Sequence, residues 1–317
     1  MEIRHIIFLI FVASAVYVYF RGKVRFGVVR SLTDYQVLLA PVNALLYLFS
    51  KVKPGAFIPV NQFPEMKPIQ DNWEIIRQEA LSLQEGGSIA AATGYNDIGF
   101  NSFFRTGWKR FHLCWYGKEV PSAQAKCPQT VALLKSIPSV KAAMFASLPP
   151  GATLVRHRDP YAGSLRYHIG LMTPNDPKCF IDVDGERYFW KDGEAVMFDE
   201  TYIHYAANET DQQRIILFCD VERPVHTKAV ELFNRWFGRY VMSAASSQNV
   251  EGEKVGFVNV LFTYFYHLRA QAKKLKAKHR SVYYVGKWVL ILGILWVIFI
   301  EPILGLRGLT AEQFALD

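Results

Sequence analysis

The sequence predicts a mainly β core of the jelly-roll type, with flanking helices and a membrane helix near each end of the chain. Three observations lead to this prediction. From Ala142 onward, short apolar runs alternate with turn residues; helical patterns precede and follow this stretch; and a long apolar run lies near each terminus. Many short strands at regular spacing favour a sandwich or barrel over alternating βαβ units.

The first apolar run, IIFLIFVASAVYVYF, covers residues 6–20 without a charge. A cleaved signal peptide is the alternative, but signal peptides carry their positive charges before the apolar stretch. Here Arg21, Lys23 and Arg25 follow it, and no small-residue cleavage site does. We therefore expect a retained anchor.

The second apolar run covers residues 282–306 and is interrupted by Lys287 and Glu301. Tyr283, Tyr284 and Trp288 lie where aromatic residues mark a membrane interface, which favours a membrane helix over the alternative of a buried core helix. Basic residues follow the first run and precede the second. The positive-inside rule then predicts a cytoplasmic middle, with both termini on the other side of the membrane.

Two further segments near the membrane have open alternatives. The segment RAQAKKLKAKHR, residues 269–280, either faces anionic membrane lipids or is a solvated charged helix. The apolar stretch Val37–Phe49 is short and contains Pro41 and Asn43, so a re-entrant or interfacial placement is expected rather than a span.

Composition excludes several classes of protein. The net charge is +8, but no aromatic residues are interleaved with the basic ones as a nucleic-acid surface requires. The four cysteines are scattered and form no CxxC, which argues against a disulfide framework or a zinc knuckle and fits a reducing compartment. Nothing in the sequence predicts an oligomeric state.

The domain prediction divides the 317 residues into three parts: an anchor and membrane-proximal segment (1–50), a jelly-roll domain (51–245), and a basic segment with the C-terminal membrane helix (246–317). Four prolines in residues 51–70 mark the first boundary. Helices are predicted at Asp71–Gln84, with Glu74 in capping-box position, at Pro128–Ser136 and at Thr227–Val241. The last carries an apolar stripe that we expect to pack: Leu232, Phe233, Trp236 and Phe237.

The predicted strands are short apolar runs bounded by turn signals. The Asp184-Gly185 pair is a strong hairpin signal. The strands are Ala142–Leu148, Thr153–His157, Leu165–Leu171, Cys179–Val183, Glu186–Trp190, Ala195–Phe198, Tyr205–Asn208 and Arg214–Val221.

A metal site is predicted where the strand Thr153–His157 ends. In a strand, residues i and i+2 point to one face, so His157 and Asp159 can bind one ion together. His204, four candidate strands later, supplies a third ligand. Two histidines and a carboxylate form the facial triad of non-haem iron(II), whose open positions suit a 2-oxo acid and O2. The alternative is a surface histidine beside a salt-bridged aspartate.

Two arginines add to this prediction. Arg166 and Arg214 each stand in a strand-like apolar run, and a buried arginine is costly unless it is paired with an anion. An acidic co-substrate would supply that anion; a structural pair with Asp or Glu is the alternative. His168 should share a face with Arg166 and either contact the co-substrate or be a satisfied core histidine. Asp199 and Glu200 are expected to orient His204 or to form a turn.

The stretch from Cys127 to Pro224 resembles the aspartyl/asparaginyl β-hydroxylase family of 2-oxoglutarate oxygenases. The order and spacing of the motifs that carry the resemblance are specific. The apolar runs at both ends extend it over nearly the whole chain to the branch that hydroxylates lipid A. The motifs are CPQTVALL, LPPGATLVRHRDP, SLRYHIGL, DGEAVMFDETYIHYAAN and QRIILFCDV.

The resemblance implies a double-stranded β-helix (cupin-like) enzyme that uses Fe(II), 2-oxoglutarate and O2. The family's metal histidines match His157 and His204, and its 2-oxoglutarate arginines match Arg166 and Arg214. The enzyme that acts on aspartate and asparagine has glycine where this chain has Asp159, so a peptide substrate is not carried over. The expected substrate is a fatty acyl chain of lipid A, hydroxylated at C2 at the cytoplasmic face of the inner membrane.

Two other functions remain open at this point. One is a membrane-anchored β-hydroxylase of a protein substrate, and the other is a metal-free jelly-roll binding module at the membrane. Trp108, Arg110 and His112 lie where the family builds its substrate side, and no role is assigned to them.

Overall fold

The computed structural model describes residues 3–31, 34–92 and 97–296. The chain divides into two compact units, residues 1–260 and residues 261–317. The boundaries predicted after residues 50 and 245 therefore both fall inside the first unit.

The helices and strands follow one another along the chain in a mixed order. Short 3-10 helices cover Val60–Gln62, Pro64–Met66, Phe103–Thr106 and Met242–Ala245. The α-helices are α1 (Ile3–Phe20), α2 (Val28–Ser31), α3 (Tyr35–Leu38), α4 (Ala40–Leu48), α5 (Lys67–Asp71), α6 (Trp73–Glu85), α7 (Pro121–Lys126), α8 (Pro128–Lys135), α9 (Lys228–Tyr240), α10 (Phe257–Lys278) and α11 (Arg280–Leu295). The strands are β1 (Phe57–Ile58), β2 (Lys109–Trp115), β3 (Lys118–Glu119), β4 (Val140–Leu148), β5 (Ser164–Met172), β6 (Cys179–Val183), β7 (Glu186–Phe189), β8 (Ala195–Phe198), β9 (His204–Asn208) and β10 (Arg214–Glu222).

Two antiparallel sheets form the core. The larger has seven strands in the order β1-β8-β5-β10-β4-β2-β3, and the smaller has three in the order β7-β6-β9. An apolar cluster lies between them, with Ile181 of β6 and Ala206 of β9 on one side and Met144, Ile216 and Phe218 on the other. The mainly β, jelly-roll prediction is confirmed.

The two faces of β5 have different neighbours because side chains alternate along a strand. Leu165, Tyr167 and Ile169 join the core that helices α5 to α8 cover. Arg166 and His168 point the other way, into the space between the sheets. The same alternation in β10 places Arg214 in that space.

Seven of the eight predicted strands are confirmed, and the hairpin turn is confirmed by positive φ at Asp184 (53°) and Gly185 (88°). The strand predicted at Thr153–His157 is wrong. It makes only isolated bridges, Thr153 to Ala207 and His157 to His204. Between the bridges this segment advances 157 − 153 = 4 residues and its partner 207 − 204 = 3. The extra residue interrupts the ladder, as in a β-bulge.

The helix predictions hold in place but fail in two details. The capping box is wrong: α6 begins at Trp73, and the carboxylate of Asp71 accepts from Lys67 Nζ instead. The stripe of α9 packs only in part. Phe237 is buried and Phe233 packs beside it, while Leu232 and Trp236 are 56% and 53% exposed. Two of the four stripe residues therefore face outward.

The membrane-helix predictions are not supported by the part of the chain that the structure describes. No helix within residues 3–31, 34–92 and 97–296 is long and apolar enough to cross a membrane. Residues 297–306 of the second predicted helix, with Glu301, lie outside the described residues. The stretch Val37–Phe49 contains the end of α3 and the whole of α4, whose Asn43 and Leu46 are fully buried.

Candidate active site

His157 and His204 face each other across an isolated antiparallel bridge. The backbone N–H of each donates to the carbonyl of the other, at 3.0 and 2.8 Å. Each ring uses its Nδ1 on a carbonyl two residues earlier, Val155 at 2.7 Å and Tyr202 at 2.9 Å. A carbonyl only accepts, so Nδ1 carries the hydrogen and Nε2 is left as a free electron-pair donor.

Asp159 is the third potential metal ligand beside His157 and His204. Its Oδ1 lies 3.8 Å from His157 Nε2, and one potential ligand atom from each of the three residues lies within 4.8 Å of the others. Its backbone N–H donates to the carbonyl of Glu200 at 2.9 Å, which ties the two ligand-bearing segments together. The predicted metal residues are thus brought to one point.

The protonation states suit a metal ion, which requires deprotonated ligands. Burial, followed by the neighbouring His157, lowers the pKa of His204 to about 3. Burial also lowers the pKa of His157. Burial alone would raise the pKa of Asp159, but Arg166 and the two imidazoles outweigh it and lower that pKa below its ordinary value. Two neutral imidazoles and a carboxylate therefore face the same point.

Arg166 is held by carboxylates of the protein. Its Nη2 lies 2.6 Å from Asp159 Oδ2 and its Nε 2.9 Å from Asp220 Oδ1. The ring of Phe218 lies against the guanidinium, with 3.6 Å between Cζ and the ring centre. These contacts are those of the structural pair considered as the alternative. They leave Asp159 Oδ1 free to face the histidines.

Arg214 has no such partner among the described residues. It is buried, its Nε has no hydrogen-bond partner, and its guanidinium carbon lies 4.4 Å from the centre of the Trp190 ring. Burial lowers its pKa to about 10. An unpaired buried cation is costly, so this position fits an anionic ligand.

His168 lies in the same cavity, and neither of its ring nitrogens has a hydrogen-bond partner. The rings of Phe198 and Phe218 contact it. Burial, then the charges of Arg166 and Arg214, lowers its pKa well below the ordinary value, so the imidazole is neutral. The indole Nε1 of Trp190 is also buried without a partner. Three side chains with unused polar atoms thus line one end of the cavity.

Part of the cavity wall is aromatic; sequence reasoning named Trp108 there without a role and did not identify Phe100 and Phe103. The Phe103 ring centre lies 4.6 Å from that of His157, and Phe100 stacks on Trp108 at 5.0 Å. All three line the cavity. They come from the stretch FNSFFRTGW at 100–108, whose density of aromatic residues just before the core was the available signal.

Of the two roles considered for Asp199 and Glu200, the structure favours the turn, since their carboxylates bond other residues than His204. Tyr202 N–H donates to the Asp199 carbonyl at 3.2 Å, so the segment forms the turn considered as the alternative. The Asp199 carboxylate pairs with Arg223, and that of Glu200 accepts from Ser164.

Arg110 and His112 lie outside the cavity, in a separate buried cluster. Arg110 Nη2 lies 2.8 Å from Asp97 Oδ2, and Ser247 Oγ is bonded to both Asp97 and His112. Only Trp108 of the three unassigned residues touches the site.

Comparison with known proteins agrees with this geometry. Residues 70–224 match a family described as Aspartyl/Asparaginyl beta-hydroxylase. The chain is 40% identical over 125 residues to the ornithine lipid ester-linked acyl 2-hydroxylase of Rhizobium tropici, covering 39% of this chain and 44% of that protein. It is 26% identical over 164 residues to the aspartyl/asparaginyl beta-hydroxylase of Homo sapiens, covering 50% of this chain and 21% of that protein.

The chain therefore spans less than half the length of these curated relatives. Among solved structures, a Cupin 2 conserved barrel domain protein from Salinispora arenicola aligns at 16% identity with a TM-score of 0.26. The alignment covers 41% of this chain and 83% of that one, and the overlap is too small to add to the topology described above.

Proposed function

We propose, from the match of residues 70–224 to the aspartyl/asparaginyl β-hydroxylase family, that this chain is an Fe(II)- and 2-oxoglutarate-dependent dioxygenase. Its substrate in this proposal is a fatty acyl chain of lipid A, hydroxylated at C2. The observation that carries the proposal is the combination of a His-Asp-His ligand set with an unpaired buried arginine in one cavity.

His157, Asp159 and His204 would hold the iron. Their donor set is the one that non-haem iron(II) oxygenases use, and it leaves coordination positions open. When bound, iron(II) with 2-oxoglutarate and O2 supplies the oxidising chemistry that places a hydroxyl group on an unactivated C–H bond. Arg166 holds Asp159 Oδ2, so that Oδ1 stays on the metal side.

Arg214 would bind the distal carboxylate of 2-oxoglutarate. Its planar guanidinium can donate two parallel hydrogen bonds to a carboxylate. His168 and Trp190 have unused polar atoms at the same end of the cavity and would donate to the co-substrate. In this arrangement the role predicted for Arg214 is retained, while Arg166 acts on the co-substrate only through Asp159.

The aromatic wall favours an apolar substrate. Phe100, Phe103 and Trp108 present no charge to the space beside His157, where the target carbon has to lie. A carboxylate or amide side chain would lose hydrogen bonds to water there without replacing them. The Rhizobium tropici relative, described as an acyl 2-hydroxylase, supports the same substrate class.

The proposal includes a location at the cytoplasmic face of a bacterial inner membrane, with both termini periplasmic and anionic lipids beside the basic segments. The basic residues after the first apolar run and before the second support this placement. The second candidate function, hydroxylation of Asp or Asn in a protein, is supported by the human relative. A metal-free binding module would not account for the convergence of His157, Asp159 and His204 on one point.

Mass spectrometry of lipid A from cells with the wild type, with His157→Ala and without the protein tests the proposal. We expect one added oxygen on an acyl chain, present only with the wild type. If lipid A is unchanged while the pure protein converts 2-oxoglutarate to succinate, the oxygenase stands and the lipid A substrate is wrong. If no succinate forms, the oxygenase proposal itself fails.

A further inference from the structure

The segment that carries His157 and Asp159 is held from outside by the chain that follows α1. The guanidinium of Arg30 donates to the carbonyl of Arg156 at 2.7 Å, and Arg158 pairs with Asp34 at 3.0 Å. These contacts lie on both sides of His157. The metal-ligand segment, residues 156–162, thus packs on residues that the sequence assigned to a membrane-proximal part.

Gln36 makes the most direct of these contacts. Its side-chain nitrogen donates to the carbonyl of Asp159 at 2.7 Å and to that of Thr201 at 2.8 Å. The side chain is almost fully buried, at 1% exposure. An amide nitrogen has two hydrogens, so these two bonds use its donor capacity completely.

The two carbonyls belong to different ligand-bearing segments. Asp159 is itself a metal ligand, and Thr201 lies in the turn that leads into His204. One buried amide therefore fixes the distance between them. Asn43 secures the same segment beyond Asp159, since its amide donates to the Pro160 carbonyl at 2.8 Å and accepts from Ala162 N–H at 2.9 Å.

We propose that Gln36 is a positioning residue of the metal centre, which sets Asp159 against His204 through the backbone and is supported by Asn43. This inference rests on the proposed function in that it takes the three residues to be metal ligands. Partners that orient ligands from behind change metal affinity when they are replaced. Gln36 differs from the usual case because it bonds the ligand's main chain instead of its side chain.

The test is a Co²⁺ titration of the full-length protein, followed by the visible absorption of the bound ion. Gln36→Met keeps the length of the side chain and removes both donors. We expect it to weaken Co²⁺ binding by about 10- to 100-fold. Gln78→Met is the matched control, since Gln78 is an exposed helical glutamine, and it should bind Co²⁺ as the wild type does.

A double variant separates positioning from general loss of structure. In an Asp159→Ala background one of the ligands that Gln36 positions is absent, so adding Gln36→Met should weaken Co²⁺ binding less than it does in the wild type. If the full effect of Gln36→Met persists without the Asp159 carboxylate, or if Gln36→Met alone binds Co²⁺ normally, the proposal is wrong.

Hydrogen exchange of the metal-free protein tests whether Gln36 holds the metal-ligand segment when no ion is bound. Gln36→Met should speed exchange of the amides in residues 157–162 and leave those of β10 unchanged; equal exchange in both segments contradicts the proposal. If Gln36→Met does not fold, Gln36→Asn, which retains the amide on a shorter side chain, is measured in the same way. Absence of Co²⁺ binding by the wild type would reject the proposed function, while the exchange result would still decide the role of Gln36.

Discussion

Arg166 and Arg214 stand on paired strands and point into one cavity, yet their surroundings differ. Arg166 lies opposite Asp220 in the register of β5 and β10, and Asp159 reaches it from the ligand segment. Arg214, at the first position of β10, has no carboxylate partner among the described residues, and the ring of Trp190 lies against it. One arginine is therefore paired with carboxylates of the protein, and the other has no such partner among the described residues.

Replacing these arginines should separate the two roles. Arg214→Met should raise the 2-oxoglutarate KM by about 30-fold or more, because truncating one partner of a buried charge pair costs about 2 kcal/mol or more. It should leave the free energy of unfolding unchanged or higher, since it removes an unpaired buried charge. Succinate formation and urea unfolding measure the two quantities.

Arg166→Met is the matched comparison. It leaves Asp159 and Asp220 without their cation, so it should lower the free energy of unfolding by about 3–5 kcal/mol. A wild-type unfolding curve for Arg166→Met would contradict the structural role of Arg166. An unchanged 2-oxoglutarate KM for Arg214→Met would contradict the co-substrate role of Arg214.

The buried cluster around His112 predicts an acid sensitivity away from the metal site. Burial, followed by the charge of Arg110, lowers the pKa of His112 to about 4. The unfolded chain therefore binds the proton more readily between pH 6.5 and 4. The stability from this group is complete above pH 6.5 and is lost as the pH falls toward 4.

Urea unfolding at pH 7 and pH 5 of the wild type and His112→Gln measures this effect. Glutamine can keep a hydrogen bond to Ser247 and does not titrate. The wild type should lose about 2 kcal/mol more than the variant between the two pH values. Equal losses would show that His112 is not kept neutral by the fold.

At the scale of elements, α9 shows how a helix can carry an apolar stripe and bury only part of it. Phe237 is 7% exposed and contacts Tyr161 in a stacked arrangement, with ring centres 5.1 Å apart. Trp236, one position earlier, is 53% exposed. Adjacent residues on a helix point about 100° apart, so one faces the core and the other faces away.

The pair Phe237→Ala and Trp236→Ala tests this division. The first should lower the free energy of unfolding by about 3–5 kcal/mol, as for a buried aromatic residue. The second should change it by less than about 0.5 kcal/mol, as for an exposed position. Urea unfolding of both variants gives the comparison, and similar losses would mean that the whole stripe is packed.

At the scale of the whole molecule, the chain between α1 and the jelly roll is part of the first compact unit. Arg21, after α1, pairs with Asp199 at 2.6 Å and lies between the rings of Tyr47 and Tyr202. Leu46 of α4 is fully buried in a cluster with Val230 of α9. These contacts cross the boundary that the proline-rich segment suggested.

Two truncations test this organisation. Removal of residues 1–50 takes away Arg21, Gln36, Asn43 and Leu46, and should lower the thermal unfolding midpoint by more than about 5 °C, since several buried groups lose their partners. Removal of residues 1–18 keeps those residues and should have a smaller effect. Scanning calorimetry measures both variants. Equal unfolding midpoints for the wild type and the variant without residues 1–50 would support the predicted boundary at residue 50.

From the sequence alone, the seven strands β4 to β10, the turn at Asp184-Gly185 and the residue types of the candidate ligands could be predicted. The strands and the turn follow from local rules, namely alternation along a strand and the backbone preference of Asp-Gly. These rules involve neighbours in the chain, so one sequence is sufficient to apply them, whereas the bridge that brings His157 to His204 is a tertiary contact.

Only the tertiary structure decided which arginine is paired, what walls the cavity and what holds the ligand segment. The partners of Arg166 include Asp220, 54 residues away, and Gln36 bonds Asp159 across 123 residues. A lone sequence does not contain the pairing of such distant residues, because register and packing set it after the strands have formed. The pairing of Asp220 with Arg166 and the hydrogen bond from Gln36 to the Asp159 carbonyl are therefore visible only in the tertiary structure.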